Sequence, residues 1–187
     1  MNTIDNFILS ADDSTLVIID IQERLAPVMD EKDRVVKNTN LLIELAKTFK
    51  IPVVVTEQYP KGLGHTVPEI KQNLDGCMVL PEKLTFDCCG QDEFSEQLES
   101  GGRRNVIVAG METHVCVLQT VLSLLKNGYN VHVVTDAVCS RDAGNKRTAL
   151  EMLAKAGAVV TCTETVLFQV MKVAGTDEFK KISKMIR

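Results

Sequence analysis

Apolar residues fall along the chain in short, almost unbroken runs, separated by longer segments in which they recur every three or four positions. The runs are STLVIID (14–20), IPVVVT (51–56), CMVLP (77–81), NVIVAG (105–110), NVHVVTD (130–136) and AVVTCT (158–163). Strands that are apolar on both faces are buried on both faces, the habit of parallel sheets covered by helices. The segments between the runs predict those helices. DEKDRVVKNTNLLIELAKTFK (30–50) has acids early, lysines late and an apolar stripe at Val35, Leu42, Leu45 and Ala46. THVCVLQTVLSLLKNG (113–128) and AGNKRTALEMLAKAGA (143–158) run into Gly128 and Gly157, which can take the left-handed conformation that ends a helix. A last amphipathic helix is predicted in TDEFKKISKMIR (176–187).

This alternation predicts an α/β fold with three α/β/α layers: one domain over residues 1–187, built on an open parallel sheet of six strands with right-handed crossovers. In the order 3-2-1-4-5-6 the sheet reverses direction between its first and fourth strands. Ligands of such sheets sit beyond the strand C-terminal ends at that reversal. Asp20 closes the first strand and GMETHVC (110–116) leaves the fourth, so the two are expected to face each other across the crevice.

Composition narrows what can bind there. The 187 residues are 45% hydrophobic and 25% charged with a net charge of −4, a globular balance without the basic face that nucleic acid requires. No apolar run reaches the roughly 18 residues of a membrane span. The first fifteen residues contain acids but no Lys or Arg, unlike a secretory or transit peptide. Six cysteines without zinc-finger or Cys-x-x-Cys spacing read as free thiols in a reducing compartment, and the cytoplasm is expected. No glycine-rich phosphate loop is present.

Three residues could carry chemistry at the crevice. Asp20 is either a strand-end cap or a general acid/base. Cys116 is either buried filler or a nucleophile; in the first turn of a helix, free N–H groups and the dipole are expected to lower its pKa. Lys83, in LPEKLTF, follows the third strand and can reach the same rim, although an average lysine is a solvated surface charge. The amides of METHVC are suited to hold a developing oxyanion. His114 diverges from Cys116 on a helix, so a Cys–Asp pair is the better candidate. Cys88 and Cys89 read as ordinary thiols near the Lys83 loop; Cys77, Cys139 and Cys162 read as structural.

Together LVIIDIQE (16–23), PEKLTFD (81–87) and VIVAGMETHVCVLQTVLSLLKNGYNVHVVTDAVCSR (106–141) resemble the isochorismatase-like cysteine hydrolases, over nearly the whole chain. TEQYPKGLGHTVPEI (56–70) is similar to the branch of isochorismatase domain-containing proteins and kinetoplastid proteins labelled as ribonucleases. The resemblance implies a triad of Asp20 as base, Lys83 as cation and Cys116 as nucleophile. It also implies a cis peptide from Met111 to Glu112, which turns the Glu112 and Cys116 amides toward one oxyanion. The implied reaction is hydrolysis of a small-molecule amide or related C–N bond through a thioester, with no cofactor. A catalytically silent binding or scaffold protein is the alternative. Nuclease activity fits neither the acidic charge nor a buried thiol.

Metal-binding relatives carry an Asp-x-His pair after the second strand. Here Glu57 and His65 stand in that segment without such a pair, and no metal is expected. Glu112 replaces a small apolar residue, either to meet a cationic or amide-bearing substrate or to face solvent. Gln22, Gln58, Tyr59 and Phe86 lie on rim loops and are expected to line the pocket. The family commonly assembles, and Phe179, Ile182 and Ile186 on the last helix are expected to offer a face for a homo-oligomer.

Overall fold

The computed structural model describes residues 3–80 and 82–186. Six parallel strands run β1 (Ser14–Ile19), β2 (Val53–Thr56), β3 (Met78–Val79), β4 (Asn105–Met111), β5 (Asn130–Cys139) and β6 (Val159–Thr161). Their order is β3-β2-β1-β4-β5-β6, all neighbours parallel. The sheet therefore has the expected order, with its switch between β1 and β4. The predicted third strand contracts to Met78–Val79, both exposed at the sheet edge, and its expected end at Pro81 lies outside the described residues.

Alternate residues of the central strands feed two separate cores. Leu16, Ile18, Val53, Val55, Ile107 and Ala109 face the helices α1 (Lys32–Phe49), α7 (Thr163–Met171) and α8 (Asp177–Ser183). Val17, Ile19, Val54, Val106 and Val108 face α4 (Asp92–Gly101), α5 (Leu118–Lys126) and α6 (Ala143–Ala156). Every residue of β1 and β4 is buried, the direct consequence of covering both sides of the sheet.

Several elements depart from the periodicity. α4 and α7 were not expected, because each follows a strand or loop without a long amphipathic repeat; α4 buries only Phe94 and Leu98. Two one-turn helices, α2 (Pro60–Leu63) and α3 (Pro68–Lys71), punctuate the loop after β2. Gly128 and Gly157 do take positive φ, 86° and 105°. The final helix is shorter than predicted, and Arg187 lies outside the described residues. Ile182 is fully buried against the α1 core, where Phe179 and Ile186 also pack, and Phe179 sits edge-on to Phe168 at 6.3 Å. Ile182 is thereby consumed inside the chain, while Phe179 and Ile186 stay partly exposed. Among the described residues no helix is long and apolar enough to cross a membrane.

Candidate active site

β1 ends at Ile19, and Asp20 leaves the strand with φ 52°, its N–H donating to the Thr56 carbonyl at 3.2 Å. The Thr56 hydroxyl, at the end of β2, donates to Asp20 Oδ1 at 2.8 Å. Lys83 is drawn in by backbone pairing beyond β3: its N–H donates to the Glu57 carbonyl, and its own carbonyl accepts from Tyr59, both at 3.0 Å. Its Nζ donates to Asp20 Oδ2 at 2.6 Å, to Gln58 Oε1 at 2.7 Å and to the Thr85 carbonyl at 3.3 Å. The two charged side chains are 1% and 0% exposed. Burial, the largest single influence, pulls the Lys83 pKa down, but the raising influences led by the Asp20 carboxylate together outweigh it and the net shift is upward, so the ammonium form persists.

Cys116 arrives from the other side of the switch. At Gly110, φ is 143° and a Cβ would fall 2.2 Å from the Ile19 carbonyl oxygen, so β4 passes β1 where only glycine fits. The Met111–Glu112 peptide that follows is cis. The chain then makes one wide π turn, Thr113–Val117, with Val115 and Val117 N–H groups both donating to the Glu112 carbonyl, and α5 begins only at Leu118. Cys116 is 5% exposed and lies beside Asp20 at the switch point. Burial first, and then the Asp20 charge, push the thiol pKa well above its ordinary value against the opposing pull of Lys83. The expected lowering by a helix N-terminus is thus overturned: desolvation beside a carboxylate outweighs the weak field of a widened turn. At neutral pH the resting sulfur is a thiol.

These groups open onto a cavity of about 100 Å³. Asp20, Gln58, Glu112 and Cys116 form its polar wall; Leu25, Leu63, Phe86 and Val115 form its apolar wall. A larger groove of about 450 Å³ along α6 is lined by no cysteine, serine or threonine. Of the expected lining residues, Gln58 and Phe86 are in place and two are not. Gln22 is fully buried and spends its amide on the Gln58 and Gly64 carbonyls and the Gln58 N–H, a brace between loops. Tyr59 is half exposed, with its ring over Gly62 rather than the cavity. Thr56, Leu25, Leu63 and Val115 were missed, since a threonine at a strand end and leucines in loops carry no distinguishing spacing.

Glu112 does not face solvent. It is buried, accepts from the Arg141 backbone N–H at 2.9 Å, and pairs with the Arg141 guanidinium at 3.2 Å. His114 turns away from the thiol to Ser140, Nδ1 to Oγ 2.9 Å. Glu57 and His65 bond each other at 2.8 Å, and the other Glu57 oxygen accepts from Thr66. Such mutually satisfied groups do not fit a metal centre, and among the described residues no set of three His, Cys, Asp or Glu is arranged to hold one. Cys88 and Cys89 are free thiols whose pKa values burial pushes up to about 11 and about 12.

Residues 14–165 match the isochorismatase domain, and the chain belongs to the isochorismatase family. A secreted isochorismatase effector, Isc1, of Phytophthora sojae is 41% identical over 180 residues, covering 93% of this chain and 84% of the relative. The solved structure of a MAR1 ribonuclease from Caenorhabditis elegans superposes with a TM-score of 0.90 at 37% identity, covering 96% of this chain and 92% of that one. At 24% identity and a TM-score of 0.89, over 95% of this chain and 90% of its own, the Escherichia coli YcaC product shares the fold and is described as an octameric hydrolase of unknown specificity.

Proposed function

We propose that this protein is a cysteine hydrolase of a small-molecule amide or related C–N bond, with Cys116 as nucleophile, Asp20 as general base and Lys83 as the cation that orients Asp20. One observation carries the reading. The Asp20 carboxylate is held on one oxygen by Thr56 and on the other by Lys83, and it shares the wall of one small cavity with the Cys116 thiol.

A thiol with a raised pKa does not wait as thiolate, so deprotonation accompanies attack. Asp20 takes the proton as sulfur adds to the carbonyl carbon, and the C=O electron pair moves onto oxygen. The N–H groups of Glu112 and Cys116 are the proposed donors to that oxyanion. Collapse breaks the C–N bond, and Asp20 returns the proton to the leaving amine. Water, deprotonated by Asp20, then attacks the thioester, releasing the acid and restoring the thiol. Lys83 stays charged throughout; with its Nζ bonded to Gln58 and Thr85 as well, it acts on the carboxylate rather than on substrate.

Screening small amides, carbamates and ureas against the wild type and Cys116→Ala is the test. The variant removes only a sulfur and is expected to fold normally while turnover falls by 10³-fold or more, on the order seen when a covalent nucleophile is lost. Undiminished hydrolysis by Cys116→Ala of an amide that the wild type cleaves ends the reading.

A further inference from the structure

We infer that the cavity sorts substrates by charge and size, admitting a short uncharged acyl group and rejecting anions, with Glu112 as the residue that sets the charge preference. The inference rests on the nucleophile assigned above and adds the class of substrate.

Among the described residues, the ionic groups on the cavity wall are two carboxylates, Asp20 and Glu112, with no lysine or arginine beside them. The nearby cations are turned to other work. Lys83 directs Nζ to Asp20, Gln58 and Thr85. Arg141 places Nε within 3.2 Å of both Glu112 oxygens. The two ends of that second pair differ in exposure: the Glu112 side chain is 6% exposed and that of Arg141 63%. Water screens the guanidinium far more than the carboxylate, so the net field inside the cavity is negative. An entering carboxylate would lose hydration and meet no cation in return.

Size points the same way. A cavity of about 100 Å³ is small beside ordinary ligand pockets, which start near 300 Å³. There is room beyond the thiol for only a small group, far less than a drug-sized ligand fills, and its atoms are few. Leu25, Leu63, Phe86 and Val115 offer those atoms an apolar wall. A short aliphatic amide satisfies both constraints; a carboxylate-bearing amide of equal length satisfies only one.

Iodoacetamide and iodoacetate are nearly equal in size and differ by one charge, which makes them a matched test on the full-length protein. Alkylation of Cys116 at neutral pH is followed by peptide mass spectrometry, and each rate is divided by that of 2-mercaptoethanol to remove intrinsic reactivity. The normalised rate at Cys116 is expected to favour iodoacetamide by about tenfold or more, as a focused negative field repels an anion. The half-buried Cys162 is expected to show little preference. Glu112→Gln, which keeps an acceptor for the Arg141 N–H but frees its guanidinium, should erase most of the difference. N-benzyl iodoacetamide should be slowed at Cys116 relative to iodoacetamide. Equal normalised rates for the two matched reagents, or a preference that Glu112→Gln leaves intact, overturn the charge sieve while leaving the nucleophile standing. Resistance of Cys116 to every reagent overturns the nucleophile itself, and the sieve with it.

Discussion

Replacing Lys83 by methionine keeps most of the stem and deletes the charge, and the surrounding structure lets the cost be worked out. The ammonium group is 1% exposed and donates to three acceptors, one of them a carboxylate that is itself fully buried. Without it, Asp20 Oδ2, Gln58 Oε1 and the Thr85 carbonyl lose a donor that water does not easily replace. Each unsatisfied buried acceptor costs about 1–3 kcal/mol, and breaking one side of a buried ion pair typically costs about 3–5 kcal/mol. The expected loss for Lys83→Met is therefore about 3–5 kcal/mol, read from urea unfolding followed by circular dichroism. Because the cost lies mainly in stranding Asp20, the double variant Asp20→Asn/Lys83→Met should lose less than the two single losses summed, by about 0.5–3 kcal/mol. The pH dependence has a defined sign. Lys83 has a pKa raised above its ordinary 10.5, so the pair's contribution is complete below 10.5 and is lost as pH rises through the folded-state value. Lys83→Met should weaken that alkaline decline. A loss under about 1 kcal/mol, or strict additivity in the double variant, would refute the claim that this pair holds the switch point together.

Two further outcomes test other parts of the frame. His132 is fully buried in β5, and burial, only partly offset by the Asn6 backbone, pulls its pKa down from 6.5 to about 4. The fold favours the neutral ring, so stability is complete above 6.5 and falls between there and about 4; at about 1.4 kcal/mol per tenfold change in proton affinity, the loss reaches about 3–4 kcal/mol. His132→Leu should flatten that acid limb in urea titrations, and a wild-type profile already flat would count against it. At Gly110 an added methyl meets backbone, the Ile19 carbonyl, rather than a movable side chain. Gly110→Ala should cost about 1–3 kcal/mol or more by overpacking, again by urea unfolding, and a neutral result would mean that β1 and β4 part easily.

Much of this protein is legible in its sequence because periodicity encodes burial. Runs such as LVII and VIVAG are apolar at every position, and a chain can satisfy that only by covering both faces of a sheet; the layers follow, and with the strand order 3-2-1-4-5-6 so does the crevice shared by Asp20 and Cys116. Periodicity is silent where burial is shallow or the element short, which is why α4 and α7 escaped notice and the third strand was drawn too long.

Tertiary structure alone decided the electrostatic state of the site. A cysteine at the head of a helical segment reads as acidic, yet its pKa depends on how much water and which charges surround it, and those come from Asp20, distant in the chain. The same holds for Gln22, a brace rather than a lining residue, and for Glu112, for which the sequence left both a substrate contact and a solvent-facing acid open and which Arg141 holds as a buried wall. Local sequence specifies which groups are available and roughly where the backbone sends them. Desolvation and partner choice are properties of three-dimensional packing, and they determine what those groups do.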